Sequence, residues 1–283
     1  DNWVTAFSWL QDSSGIIFEA PVDGATFLHR FDLEGSSIEP VAAGGTLNGW
    51  QPTSTGDAVV VSRSRAAEPY EIFRIPLDGG APVCLTSFNR ALVEEVDLRP
   101  AERLLITVEG GRKLLVYLVT PHGFDPSLKY PLILNVHGGP QGHWSDAYRG
   151  DWQVYPGKGY VVALPNPTGS LGFGQDFVDA VSCDWGGRAY RELMQVADAL
   201  GELPYVDRDR LGAMGWSYGG YMVMWFAGHT DRFSALASMM GDYDLRSMHG
   251  TTDELWFMEH ELCGTPWSSE DYNRWSPSRF AGS

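Results

Sequence analysis

The segment Gly215-Trp216-Ser217-Tyr218-Gly219-Gly220 has the form G-x-S-x-G with one further glycine. Before it, Leu211-Gly212-Ala213-Met214 is short and apolar and predicts a buried strand. After it, Tyr221-Met222-Val223-Met224-Trp225-Phe226-Ala227 predicts a buried helix. Strand, sharp turn and helix are the setting of a nucleophile elbow, which lifts a serine hydroxyl clear of the sheet. Small residues at 215 and 219 let strand and helix approach closely enough to make that turn. Taken alone, the segment is also compatible with a glycine-rich turn that happens to carry a serine.

A second segment upstream separates these readings. Leu132-Ile133-Leu134-Asn135-Val136 predicts an apolar strand that ends in His137-Gly138-Gly139-Pro140. A serine that transfers acyl groups needs donors aimed at the oxyanion of its tetrahedral intermediate. One is the backbone N–H of the residue after the serine, Tyr218. The other comes from a loop after an earlier strand, and Gly138 and Gly139 allow that backbone to approach a substrate carbonyl. The two motifs, in this order, form the pattern of an α/β-hydrolase with a mostly parallel sheet.

The surrounding chain agrees with that fold. Leu104–Val108, Leu114–Val119, Tyr160–Leu164 and Ala235–Met240 predict further strands, the last of them buried, and Val93–Val96 predicts another. Gly110-Gly111 predicts a hairpin turn. Over Gly187–Leu203, Tyr190, Leu193, Met194, Ala197 and Leu200 recur at steps of three and four, which predicts an amphipathic helix. Strands alternating with helices indicate a parallel α/β sheet. The loop Gly169-Ser170-Leu171-Gly172-Phe173-Gly174 lacks the dinucleotide order of glycines and a helix starting at it, and reads as an active-site wall.

Residues 1–91 differ in character. Ser8-Trp9-Leu10, Asp12-Ser13-Ser14-Gly15 and Ile16-Ile17-Phe18 return as Gly49-Trp50-Gln51, Thr53-Ser54-Thr55-Gly56 and Val59-Val60-Val61. Arg30-Phe31-Asp32-Leu33-Glu34-Gly35 returns as Arg74-Ile75-Pro76-Leu77-Asp78-Gly79. A period of about 40 residues with several strands per unit indicates β-propeller blades. The expected domains are therefore the C-terminal blades of a propeller over 1–91 and a hydrolase domain over 92–283.

Composition narrows the function. The 283 residues are 43% apolar and 13% aromatic, enough for a substantial core, and the net charge of −16 argues against nucleic acid or an anionic membrane as partner. Cys84, Cys183 and Cys263 show no C-x-x-C spacing and read as buried free thiols. No metal or cofactor is implied: His137 and His143 lack a third ligand at a recognisable spacing.

Three motifs give the chain a family resemblance. Gly-Trp-Ser-Tyr-Gly-Gly-Tyr at 215–221, His-Gly-Gly-Pro at 137–140 and Asn166-Pro167-Thr168-Gly169-Ser170 continuing to Gly172-Phe173-Gly174 resemble the elbow, oxyanion loop and wall loop of the prolyl oligopeptidase family, with the acylaminoacyl- and dipeptidyl-peptidase branches most alike. Asp184-Trp185-Gly186-Gly187 and Gly264-Thr265-Pro266-Trp267 add to it. The resemblance implies Ser217 as nucleophile and Tyr218 and Gly139 as oxyanion donors. It puts His137, Trp216, Tyr243, Met248, His249 and Trp256 beside the substrate pocket, with Leu245 in the same segment. Thr168 replaces the family's arginine and removes a cation near the site. Glu94 and Glu95 read as a solvated face.

The resemblance also implies an acid and a histidine after the serine. Only His229, His249 and His260 follow Ser217, and none lies in the family's acid–histidine pattern. The chain is therefore expected to be a fragment, truncated before the acid and base, with the remainder of the same polypeptide needed for a complete site. The expected activity is that of a serine peptidase on short peptides, most simply an exopeptidase. An esterase on the same elbow, or a non-catalytic propeller–hydrolase binding protein, are the alternatives. Compartment and homo-oligomerisation are left open by the sequence.

Overall fold

The computed structural model describes residues 2–42 and 44–282, which form two compact units. The first contains residues 1–102 and 145–154, and the second 103–144 and 155–283. The sequence reading expects a domain boundary at 91/92; the leading segment of the first compact unit runs on to 102, and residues 145–154 also belong to that unit.

The first unit holds two four-stranded antiparallel sheets. One is β1 (Ala6–Trp9), β2 (Gly15–Val22), β3 (Ala25–Asp32) and β4 (Ser37–Ala42). The other is β5 (Thr46–Pro52), β6 (Ala58–Arg65), β7 (Glu68–Pro76) and β8 (Val83–Cys84), each in sequential order. The sequence repeat maps strand on strand: Trp9 and Trp50 lie in β1 and β5, Ile16–Phe18 and Val59–Val61 in β2 and β6. Ile17, Leu28, Val59, Val61 and Ile75 point into one shared core. The expected strand at 93–96 is absent. Arg90–Glu95 is instead a short exposed helix, α1, with an Arg90–Glu94 pair at 2.9 Å one turn apart. The Glu71 carboxylate fixes its start by accepting the Phe88 and Asn89 N–H groups.

The second unit is built on a six-stranded sheet. Its strands are β9 (Glu102–Thr107), β10 (Lys113–Val119), β11 (Tyr130–Val136), β12 (Val161–Pro165), β13 (Val206–Trp216) and β14 (Ala235–Met239), in the spatial order β14-β13-β11-β12-β10-β9. β11 runs parallel to β12 and β13, and β13 parallel to β14, while β10 is antiparallel to β12. The interior strands β10 and β12 are buried almost end to end, as a sheet covered on both faces requires. β14 differs from its expected burial. It is an edge strand and its side chains are largely exposed.

The helices are α2 (Asp151–Gly157), α3 (Gln175–Asp179), α4 (Arg188–Gly201), α5 (Tyr218–Ala227), α6 (Leu245–Thr251), α7 (Leu255–Glu261) and α8 (Asp271–Arg274). α4 buries Leu193, Met194, Ala197 and Leu200, as its periodicity predicts, and also Ala189 and Val196, while Tyr190 is only half-buried. α3 begins directly after Gly174, so a short helix does follow the wall loop. The cysteines depart from the free-thiol expectation. Cys183 and Cys263 form a disulfide with their Cα atoms 5.4 Å apart, and only Cys84 is free, and exposed. Among the described residues, no helix is long and apolar enough to cross a membrane.

Candidate active site

Register brings the two motifs together. Val136 at the end of β11 lies opposite Gly215 near the end of β13, so the loops carrying His137 and Ser217 leave the same carboxyl edge of the sheet. That edge is where open α/β sheets place their sites.

Ser217 caps α5 with φ 57° and ψ −120°, a backbone region that non-glycine residues avoid. Two hydrogen bonds hold it there. Its N–H donates to the Met239 carbonyl at 2.9 Å, and its own carbonyl accepts from Tyr221 N–H at 2.8 Å. The glycines around it permit the turn. A Cβ on Gly219 would collide with the Val136 carbonyl, and one on Gly220 would come within 2.6 Å of the Met239 oxygen. Helix α5 therefore runs against β11 and β14 at backbone distance. Gly138 faces the serine: a Cβ there would lie 3.0 Å from the Trp216 carbonyl and 3.2 Å from Ser217 Cβ.

Tyr218 N–H belongs to the first turn of α5, whose N–H groups have no intrahelical partner and are available to an oxyanion. The Tyr218 side chain points away, buried, its hydroxyl donating to the Trp185 carbonyl at 2.7 Å. Burial pushes that phenol well above its ordinary range. Gly139 has φ 127°, in the region that favours glycine, inside the loop that faces Ser217.

His137, expected beside the substrate pocket, is enclosed between two loops. It is 5% exposed, and both ring nitrogens are engaged: Nδ1 lies 2.8 Å from the Gly138 carbonyl and Nε2 2.8 Å from Ser170 Oγ. Burial lowers its pKa to about 4, against a smaller opposing effect of the Gly138 bond, so the ring is neutral at pH 7. The neutral form that satisfies Gly138 carries its proton on Nδ1. Nε2 then accepts from the Ser170 hydroxyl, which also lies 2.6 Å from the Pro167 carbonyl and is shared between the two. His137 thus ties the oxyanion loop to the wall loop.

The remaining pocket expectations divide. Trp216, Tyr243 and Trp256 are exposed, as a binding surface requires. His249 is buried with Nε2 3.2 Å from Glu259, and the partly buried Met248 packs on the core. The histidines after Ser217 have other partners. His229 stacks on Trp225 with ring centres 3.9 Å apart and bonds its carbonyl through Nδ1, while His260 is exposed on α7. Among the described residues, no cluster of His, Cys, Asp and Glu is arranged to hold a metal ion.

Two buried carboxylates brace the site, and neither was singled out from the sequence. Glu261 accepts from Gln141 Nε2 at 2.9 Å, Ser182 Oγ at 3.1 Å and Trp185 Nε1 at 3.1 Å, joining α7 to the oxyanion loop. Glu192 accepts from Thr168 N–H at 2.7 Å and Thr168 Oγ1 at 2.8 Å. Its sequence signal is a carboxylate on the inward stripe of α4, one residue before Leu193.

The sequence pattern of the prolyl oligopeptidase family matches residues 147–282. The chain belongs to the prolyl oligopeptidase family. Within it, the chain is 32% identical over 275 residues to dipeptidyl-peptidase 5 of Porphyromonas gingivalis, covering 96% of this chain and 40% of that protein. It is 45% identical over 228 residues to dipeptidyl-peptidase 5 of Aspergillus fumigatus, covering 78% of this chain and 32% of that one. The chain therefore spans well under half the length of these relatives. An acylaminoacyl peptidase solved in complex with Z-Gly-Gly-Phe-chloromethyl ketone shares the fold, with a TM-score of 0.90 at 24% identity over 99% of this chain and 44% of that one. The elbow at Ser217 and the loop at Gly138 fall inside a fold that this peptidase shares.

Proposed function

We propose that the protein is a serine peptidase acting on short peptides, most simply as an exopeptidase of the acylaminoacyl or dipeptidyl kind. Ser217 Oγ attacks the scissile carbonyl, and a histidine base takes its proton. The oxyanion is received by Tyr218 N–H and Gly139 N–H. The C–N bond then breaks, the histidine returns the proton to the leaving amine, and water releases the acyl group from Ser217. His229, His249 and His260 are committed elsewhere or turned to solvent, so the base comes from polypeptide other than these three. Trp216, Tyr243 and Trp256 offer aromatic surface to an apolar side chain. The two antiparallel sheets of the first unit are consecutive blades of a propeller, and the six-stranded sheet is the core of the hydrolase domain.

The observation that carries this reading is the strained Ser217, held at φ 57° beside Gly138. A panel of substrates tests it, using the full-length gene product and its Ser217→Ala variant. The panel comprises an N-acylated amino-acid anilide, N-terminally free dipeptide anilides and a p-nitrophenyl ester. Anilide hydrolysis lost in the variant is expected. Turnover of the ester alone would assign an esterase, and turnover of nothing would contradict the proposal.

A further inference from the structure

The wall loop is laced to the oxyanion loop at three places besides its own turn. Asn166 Oδ1 accepts from Trp144 N–H at 2.7 Å, His137 meets Ser170, and Leu171 N–H donates to the Gly142 carbonyl at 2.9 Å. At the centre of this loop Thr168 is almost fully buried, with both its N–H and its hydroxyl on the Glu192 carboxylate. The loop carries no cation of its own. A cation arrives instead from the turn between β9 and β10: Arg112 Nη1 lies 2.7 Å from Thr168 Oγ1 and 3.5 Å from Glu192 Oε1. The Arg112 guanidinium also covers the Phe177 ring at 5.1 Å.

That turn is itself docked on α4. Glu109 N–H donates to Gln195 Oε1 at 2.7 Å, and Glu109 pairs with Arg191 at 3.0 Å. The Arg112 guanidinium therefore sits at a defined position rather than on a free surface arm. A buried carboxylate lacking its partners would be costly to ionise, and burial does push Glu192 upward, with Thr168 and Arg112 acting against that shift.

We propose that Arg112 and Glu192 are positioning residues that fix Thr168, and through the 166–171 loop and His137 set the place of the oxyanion loop opposite Ser217. The kinetic part of this inference rests on the peptidase reading; the linkage from Arg112 to His137 does not. A small displacement of a preorganised donor costs rate rather than ground-state binding.

The test compares Arg112→Gln, Arg112→Lys and Arg112→Gln/Thr168→Arg with wild type in the full-length gene product. Arg112→Gln is expected to lower kcat about tenfold while KM moves less than about twofold, with a drop in melting temperature too small to unfold the variant at the assay temperature. Arg112→Lys keeps charge without the fork and falls between. Thr168→Arg, which supplies the guanidinium from the loop itself, is expected to restore most of the loss. In parallel, the His137 ring resonances should shift in Arg112→Gln while those of His229 and His249 stay. Wild-type kcat in Arg112→Gln, a kcat loss that only tracks melting temperature, or unmoved His137 resonances would each overturn the proposal. Should the wild-type protein hydrolyse no peptide, the peptidase reading fails and the His137 resonances alone decide this one.

Discussion

Ser217 at φ 57° and ψ −120° occupies a backbone region that costs an L-residue about 1–3 kcal/mol. Alanine inherits that cost and glycine escapes it. Ser217→Gly is therefore expected to be more stable than Ser217→Ala by about 1 kcal/mol in chemical denaturation, although both lack the Ser217 hydroxyl. Equal stabilities would mean that the turn is not strained. His137 supplies a second test. Its folded pKa of about 4 lies below its ordinary 6.5, so the unfolded chain binds the proton more readily. The stability it confers is full above pH 6.5 and is lost as pH falls through 4. The total is about 3 kcal/mol, which should disappear from the pH dependence of a His137→Asn variant. The serine was legible because its spacing and flanks are local. The partners of His137 were not, because Ser170 reaches it only when two loops fold together.

Helix α5 approaches β13 closely at Gly215, the end of β11 at Gly219 and the end of β14 at Gly220; the small residues at 215 and 219 were legible in the motif, the contact at 220 was not. A methyl at Gly219 would meet the carbonyl of Val136, a backbone atom that cannot rotate away. Gly219→Ala is therefore expected to cost about 3 kcal/mol or more, read as a drop in melting temperature or loss of soluble protein. The disulfide belongs to the same scale. Cys183 and Cys263 are 80 residues apart in sequence and join the segment before α4 to the one after α7. Reduction, or Cys183→Ser, should destabilise the fold by about 2–4 kcal/mol. Cys84→Ser should leave it unchanged. Neither partner spacing nor local pattern announced this bridge, since it depends on α7 lying against the Cys183 turn, where Glu261 also anchors. The strand expected at 93–96 rests on the β-branched Val93 and Val96; the helix found at 90–95 is supported by the Arg90–Glu94 pair and the Glu71 anchor.

Across the whole molecule, the repeat within the first unit was visible as periodicity and maps strand on strand. The return of residues 145–154 to the first unit was not, because nothing in their composition separates them from the loop that precedes them. The central proposal at this scale is that Ser217 is the nucleophile of the full-length protein. Its most direct measurement is mass spectrometry of the full-length gene product after treatment with a fluorophosphonate probe. Covalent labelling confined to the peptide carrying Ser217, and absent from Ser217→Ala, is the expected result. A wild-type protein that stays unlabelled, or is labelled at another residue, would contradict the assignment of Ser217.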